Sequence, residues 1–451
     1  MALLRAQKKF INGEGTPPNQ QLSEVDPRAI GVLTDEAEIG PQTRLEMSDS
    51  LVIVGAGQAA SQLVASLRSE GFTGAIAMVG DETHLPYQRP PLSKAFLKGE
   101  IAVDRLLIKP AEFYTEARCT LKLNTSVKRL DRATKSVTLS DGTDLSYSIL
   151  VLATGSRIKK LPIPGADLPG CLYLRGIDDV EQIRPKLQPG KRLTIIGAGY
   201  IGLEVAAVAV KRGLQTSVIE AMPRVLARAA CPQISAFYED EHRRAGVDLR
   251  CYVRTESISK TGDILAVSTS SGIIPADFVL IGVGINPNIE LARDAGLEID
   301  NGILVDQFGR TEDPSIYAIG DCANLPSSFA SDGRVRLESV QNAIDQAKHA
   351  ALAIVGKAKP YDEVPWFWSD QFDLKLQIAG LAAPNDQIVL RGLPSSRSFA
   401  AFHLKDGVVT AVEAVNAAPE YMMGRRLIAA RARVAPERLA DKAVPMKDML
   451  Q

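Results

Sequence analysis

The apolar positions of this chain fall into two repeats of one pattern. The first opens with the continuous run Leu51-Val52-Ile53-Val54, passes through small residues at 55–57, continues with a helix read from Ala59 to Glu70, and returns on AIAMVG, which ends at Asp81 and Glu82. A short unbroken apolar run followed by a glycine turn and a helical stretch predicts a strand–helix–strand unit with a parallel, buried sheet. The second repeat starts at Leu193, with a helix from about Ile201 to Arg212 and a strand, TSVIE, that closes on Glu220. Two further apolar strands stop at small residues, LVLATG (Leu150 to Gly155) and VLIGVG (Val279 to Gly284), and read as crossings between domains. A later strand, IYAIGDCA, leads to Asp321, and beyond Pro365 the texture changes to short strands with one late helix. The pattern predicts an α/β protein with two Rossmann-like dinucleotide-binding domains and a C-terminal α+β domain.

Residues 1–46 do not share this pattern. Seven acids and five bases, interrupted by Gly13, Gly15, Pro17 and Pro18, show no sustained periodicity and predict a disordered extension, with Met47 as an internal start. The expected boundaries are 47–157 with 284–363 for the first dinucleotide domain, 158–283 for the second, and 364–451 for the last.

Composition narrows the function classes. A chain of 451 residues with 45% hydrophobic content and a net charge of -1 has no global attraction for nucleic acid or an anionic membrane. No apolar run reaches transmembrane length and the N-terminus lacks a secretory core, so the expected location is cytoplasmic. Cys119, Cys171, Cys231, Cys251 and Cys322 lie far apart, without CxxC spacing, which argues against an internal iron–sulfur or zinc centre.

The chemistry lies in the turns. Gly55 and Gly57 in LVIVGAGQAA, and Gly197, Gly199 and Gly202 in LTIIGAGYIG, each follow a strand and open a helix, as a pyrophosphate-binding fingerprint requires. The first fingerprint ends in Ala60 instead of glycine. Two such turns predict two nucleotides held at once, with electron transfer between them. Asp81, 24 residues beyond Gly57, suits a ribose-facing carboxylate, with Glu82 as the adjacent alternative. Glu220, 18 residues beyond Gly202, would accept from the ribose hydroxyls of NADH and repel the extra phosphate of NADPH, although Arg224 and Arg228 follow. Arg89 and Lys94 in YQRPPLSKAFL read either as cations beside a flavin or as solvated residues. Asp321 is a ribitol acceptor or a helix cap, and Trp368 in PWFWSDQF is core or a cofactor edge. Residues 89–98 hold no cysteine, which argues against a disulfide or peroxide reductase.

The pieces VIVGAGQAA, VGDE, RPPLSK, LVLATGS, GAGYIGLE, GVGINPN, AIGDCA, RLESVQNA and PWFWSDQ occur in one order over about residues 47–451. In this the chain resembles the FAD-dependent, NADH-linked ferredoxin reductases of bacterial oxygenases, with RPPLSK and WFWSDQ the specific combination. The resemblance implies a glutathione-reductase-like arrangement. It implies a tightly bound FAD at Gly55, Gly57, Ala59, Asp81, Arg89, Lys94, Val127, Arg175, Asp321, Val340 and Trp368. NADH, the co-substrate, is implied at Gly197, Gly199, Gly202, Glu220 and Gly284. Lys94, Glu204 and Trp368 become electrostatic and positional aids to hydride transfer, and Tyr200 an aromatic that lies over the flavin. Electrons would leave singly to a [2Fe–2S] ferredoxin, docking near Arg425, Arg426, Arg431 and Arg433, and thence to a cytochrome P450 or ring-hydroxylating dioxygenase. A monomer or weak homodimer is expected. A redox sensor similar to apoptosis-inducing factor and a monodehydroascorbate-type reductase are the alternatives.

Overall fold

A computed structural model describes residues 50–450; the expectations for residues 1–46 and for Met47 lie outside the described residues. The chain enters on β1 (Ser50–Val54), forms a helix at Gln58–Ser69 and returns on β2 (Ala75–Val79). After β3 (Cys119–Lys122) come a three-stranded antiparallel meander, β4 (Val127–Asp131), β5 (Ser136–Leu139) and β6 (Asp144–Ser146), and then β7 (Ile149–Leu152). β1 is buried on both faces, which explains its unbroken apolar run. Leu51 and Ile53 pack with Leu63 and Leu67 of the first helix and with Ala347 and Ala351 of the helix Val340–Ile354. Val52 and Val54 pack on the opposite face with Leu139, Leu150 and Leu152.

The same design then recurs. Following β8 (Ser156–Ile158) and β9 (Cys171–Leu172), β10 (Arg192–Ile196) leads through a helix at Tyr200–Lys211 to β11 (Gln215–Ile219). A helix at Pro232–Arg244 precedes β12 (Asp248–Arg250), and a second meander, β13 (Thr255–Thr261), β14 (Ile264–Thr269) and β15 (Gly272–Ala276), precedes β16 (Phe278–Ile281). This parallel sheet runs β12-β11-β10-β16-β9. β17 (Ile285–Pro287) brings the chain back and pairs antiparallel with β8, so the two crossing segments support one another. β18 (Ile303–Leu304) lies outside the main sheet, and β19 (Ile316–Ala318) completes the first parallel sheet, in the order β19-β7-β1-β2-β3. β20 (Ala323–Pro326) and β21 (Arg334–Val335) join β18 in a small sheet.

The C-terminal part is a five-stranded antiparallel sheet built from β22 (Trp366–Gln371), β23 (Leu374–Gly380), β24 (Gln387–Arg391), β25 (Phe399–Lys405) and β26 (Val408–Val415), in the order β22-β23-β26-β25-β24. Its two faces meet different partners because side chains alternate along a strand. Ala400, Phe402 and Leu404 pack under the helix Ala418–Ala429 through Leu427 and Ile428. Phe399 and Ala401 turn the other way, into the core shared with Leu203, Phe237 and Tyr238.

Candidate active site

Both glycine turns open onto one cavity of about 1680 Å³. That exceeds the roughly 300–1,000 Å³ usual for a single ligand. Gly55 and Gly197 bend the chain at positive φ, +113° and +104°. An added Cβ would stand 2.1 Å from the Ala153 carbonyl oxygen at the first and 2.4 Å from that of Gly282 at the second. Gly57 and Gly199 serve differently. Each is the N-cap of its helix with no capping side chain, lines the cavity, and has nothing within 4 Å of an added Cβ. The helix N-termini therefore present uncapped backbone N–H groups to open space, the geometry that receives a pyrophosphate. The residues present fit two dinucleotides.

Around the first turn the polar groups close on one another. Arg89 donates to Glu82 Oε1 at 2.5 Å, to the Tyr87 hydroxyl at 3.0 Å and to the Arg175 carbonyl at 2.8 Å. Tyr87 donates to the other Glu82 oxygen at 2.5 Å. Burial acts to raise the Glu82 carboxyl, but the Arg89 charge and the hydrogen bonds from Tyr87 and Arg89 outweigh it and hold the group below the usual carboxylate range. Asp321 accepts from Ser156 Oγ at 2.7 Å, and Ser156 in turn accepts from Arg175 at 2.9 Å. Arg89 is thus a cation fixed in the cavity wall by its ion pair with Glu82.

The second network joins three parts of the chain. Glu204, almost fully buried, accepts from Lys94 Nζ at 2.6 Å, from Ser369 Oγ at 2.6 Å and from Ser93 Oγ. Gln371 donates to Ser369 Oγ at 3.3 Å, and its carbonyl oxygen lies 2.8 Å from His242 Nε2. Burial drives the His242 imidazole down to about 4, against the hydrogen bond to Gln371, so it stays neutral and donates through Nε2. On β22 the side chains alternate: Trp366 and Trp368 stack at 5.7 Å between centroids, while Phe367 meets the Tyr200 ring at 4.6 Å. Tyr200 donates its hydroxyl to the Ala229 carbonyl at 3.1 Å. Glu220 holds the second turn, accepting from the backbone N–H of Ala198 and of Met222, both at 2.8 Å.

Gly55, Gly57, Ala59, Asp81, Arg89, Lys94, Arg175, Asp321, Val340 and Trp368 all line the cavity, as do Gly197, Gly199, Tyr200, Glu204, Glu220 and Gly284. Two expected residues do not. Val127, on β4, pairs with Leu139 and packs against the core beneath β7. Gly202 instead lets its helix approach the turn, since a Cβ there would lie 2.2 Å from the Gly197 carbonyl oxygen. Ser93, Ser369, Gln371 and His242 were not singled out from the sequence. The alternation in FWSDQ, which puts 367, 369 and 371 on one face, is the signal that could have found two of them. All five cysteines are free, and burial, then the Glu413 carboxylate, pushes the Cys231 thiol up to about 12, so it is no nucleophile.

Two uncapped turns on one cavity, without a reactive thiol, define an oxidoreductase that moves electrons between two dinucleotides. Residues 49–347 match the family described as pyridine nucleotide-disulphide oxidoreductase, and residues 366–450 match the reductase C-terminal family. The chain belongs to the pyridine nucleotide-disulphide oxidoreductase family, and within it to the ferredoxin reductases of oxygenase systems, which use FAD and NADH. It is 44% identical to rhodocoxin reductase of Rhodococcus erythropolis over 88% of this chain and 93% of that one. The crystal structure of the ferredoxin reductase for the CYP199A2 system from Rhodopseudomonas palustris superposes with a TM-score of 0.86 at 44% identity, covering 90% of this chain and all of that one. The covalent putidaredoxin reductase–putidaredoxin complex gives a TM-score of 0.86 at 40% identity, covering 90% and 98%. Among the described residues no helix is long and apolar enough to cross a membrane.

Proposed function

We infer that this enzyme takes electrons from NADH and passes them, one at a time, to a [2Fe–2S] ferredoxin that feeds an oxygenase, a cytochrome P450 or a ring-hydroxylating dioxygenase. The observation that carries this reading is the single cavity onto which both glycine turns open, with the Lys94–Glu204 pair in its wall. FAD, when bound, supplies the conversion of a two-electron donor into single electrons. The chain supplies position and charge. The turn at Gly55–Gly57 receives one pyrophosphate, and Asp321, steadied by Ser156, accepts from a ribitol hydroxyl. Glu220 keeps a lone pair on each oxygen for ribose hydroxyls after serving its own turn. Lys94 keeps a cation at the wall where negative charge collects, and Glu204 with Ser93 and Ser369 fixes where that cation stands. Trp368, with Lys94 and Val340, lines both the large cavity and a small neighbouring pocket.

Ferredoxin docks on the basic end of the C-terminal helix. Arg426 and Arg433 are exposed there, whereas Arg425 is half-buried over Trp366, 5.5 Å from the ring, and Arg431 donates to the Ser328 carbonyl at 2.8 Å. The FAD-loaded protein is mixed anaerobically with NADH and a [2Fe–2S] ferredoxin, and bleaching of the ferredoxin is followed. Reduction at a catalytic rate is expected. Flavin reduction by NADH with no onward electron transfer would replace this reading with a redox sensor. Charge reversal at Arg426 and Arg433 raises the KM for ferredoxin about tenfold at low salt, and the difference shrinks as salt is added. An unchanged KM at low salt removes the docking site.

A further inference from the structure

Electron transfer leaves one buried constellation without a role. Cys231, His403 and Glu413 are all buried, and one sulfur, one imidazole nitrogen and one carboxylate oxygen lie within 4.8 Å of one another. They come from separate elements. Cys231 caps the N-terminus of the helix Pro232–Arg244, while His403 on β25 and Glu413 on β26 are diagonal neighbours in the C-terminal sheet. The arrangement is held from both sides: His403 Nε2 stands 2.7 Å from Glu413 Oε1, and the Cys231 backbone N–H donates to both Glu413 oxygens, at 2.9 and 3.1 Å.

The carboxylate has one ionic partner and room for a second. A carboxylate taken out of water needs a cation, and among the described residues the only ionic partner of Glu413 is His403. The donor set also selects its ion. Sulfur and imidazole nitrogen disfavour calcium and magnesium, and one sulfur, one nitrogen and one carboxylate suit zinc. Bonds of roughly 2.0–2.3 Å in a tetrahedron put neighbouring ligand atoms about 3.5 Å apart. The present spacing, within 4.8 Å, closes to that distance on binding, and the His403–Glu413 hydrogen bond opens to admit the ion. All three residues border the large cavity, so water can take a fourth position.

We propose that Cys231, His403 and Glu413 form a three-ligand zinc site that ties the loop ending at Cys231 to the C-terminal sheet. Coordination deprotonates the thiol, whose proton leaves to solvent, and no electron is exchanged. The proposal does not rest on ferredoxin reduction, and its test does not read activity. The full-length, FAD-loaded protein is treated with a chelator, equilibrated with zinc chloride, passed through gel filtration and assayed for metal by atomic emission. One zinc per chain is expected to remain. Loss of even an outer partner weakens metal sites ~10–100-fold, so Cys231→Ser and His403→Gln should each bind zinc at least about tenfold more weakly. Cys251→Ser, whose thiol instead faces Glu239 at 3.7 Å, should bind like the parent. The flavin spectrum of each variant reports its folding, and a rise in unfolding temperature with zinc, present in the parent and missing in Cys231→Ala, is read alongside. No retained zinc in the parent, or zinc retained at full affinity by either ligand variant, overturns the proposal.

Discussion

The two glycine turns are built alike and surrounded differently. Gly55 donates its N–H to the Val79 carbonyl at 2.7 Å, and Gly197 to that of Ile219 at 2.8 Å. The strand registers match too, Val54 opposite Val79 and Ile196 opposite Ile219, so Gly80 and Glu220 occupy equivalent positions. There the halves part. A Cβ at Gly80 would lie 2.5 Å from that of Ala56, so in the present backbone a carboxylate there, the counterpart of Glu220, would force the turn to shift. The acids of the first half move on to Asp81 and Glu82, and Glu82 is closed off by Arg89 and Tyr87. Glu220 remains at the cavity edge. The third fingerprint position differs as well: the methyl of Ala60 is fully buried, while Gly202 lets its helix press against the turn. One backbone device thus stands in an ion-paired, locked setting in the first half and in an open setting in the second.

The strongest test breaks each turn separately. An L-residue at φ near +110° costs roughly 1–2 kcal/mol, and in both places the new Cβ also meets a backbone oxygen that cannot rotate away. Gly55→Ala is expected to purify without flavin, read as the flavin-to-protein absorbance ratio after desalting. Gly197→Ala should keep its flavin, yet be reduced by NADH at least about a hundredfold more slowly, roughly 2.7 kcal/mol. Flavin loss in both variants would show that the turns are not independent.

Much of this contrast was legible in the sequence, for a physical reason. A parallel strand buried on both faces must be continuously apolar, and a turn meeting a backbone oxygen at about 2 Å must be glycine, so β1, β10 and both turns announce themselves locally. The helix at Tyr200–Lys211 falls within a residue of the expected span for the same reason. What stayed hidden is what depends on distant residues. Arg89 was legible as a cation of the site, but nothing near it in RPPLSK reveals the Glu82 carboxylate turned toward it. Ser369 and Gln371 share a face of β22, but Ser93 and His242, which complete their network, come from other elements and have no spacing in common with them. The pairing of β8 with β17 unites segments some 130 residues apart, and only the small residues at which the two apolar strands end hinted at it.

A smaller effect sharpens the contrast at its chemical centre. If Glu220 sets the preference of the open half, Glu220→Arg should move the NADPH-to-NADH ratio of kcat/KM upward by about tenfold, near 1.4 kcal/mol, by replacing repulsion of a 2′-phosphate with attraction. Flavin content should not change. The matching change in the first half, Gly80→Glu, should instead lose flavin through its collision with Ala56. An unchanged nucleotide ratio in Glu220→Arg would shift the selectivity to Arg224 or Arg228, both of which also border the cavity.

Acid acts on folding stability and not on nucleotide binding, and it should reach the two halves at different pH. His242 is held at about 4 against an ordinary 6.5, so between those values the unfolded chain takes up a proton that the folded chain refuses. Its contribution is therefore complete above pH 6.5 and declines as the pH falls toward 4, by about 1.4 kcal/mol per unit, or roughly 3 kcal/mol in all. Among the described residues the buried Nδ1 atom has no hydrogen-bond partner to soften that charge. Glu82 works lower on the scale. Its folded value lies below the ordinary 4.5, so its contribution is present above that pH and is lost only as the pH drops through the folded value. Mild acid should thus loosen the contact between His242 and the C-terminal strand β22 before it disturbs the lock around the first turn. Urea unfolding at pH 7, 5.5 and 4.5 measures this, with flavin release recorded in parallel. The parent should lose stability between pH 7 and 4.5 while keeping its flavin, and His242→Gln, which cannot take up the proton, should show a flatter profile. An equally steep profile in His242→Gln would place the acid sensitivity elsewhere in the fold.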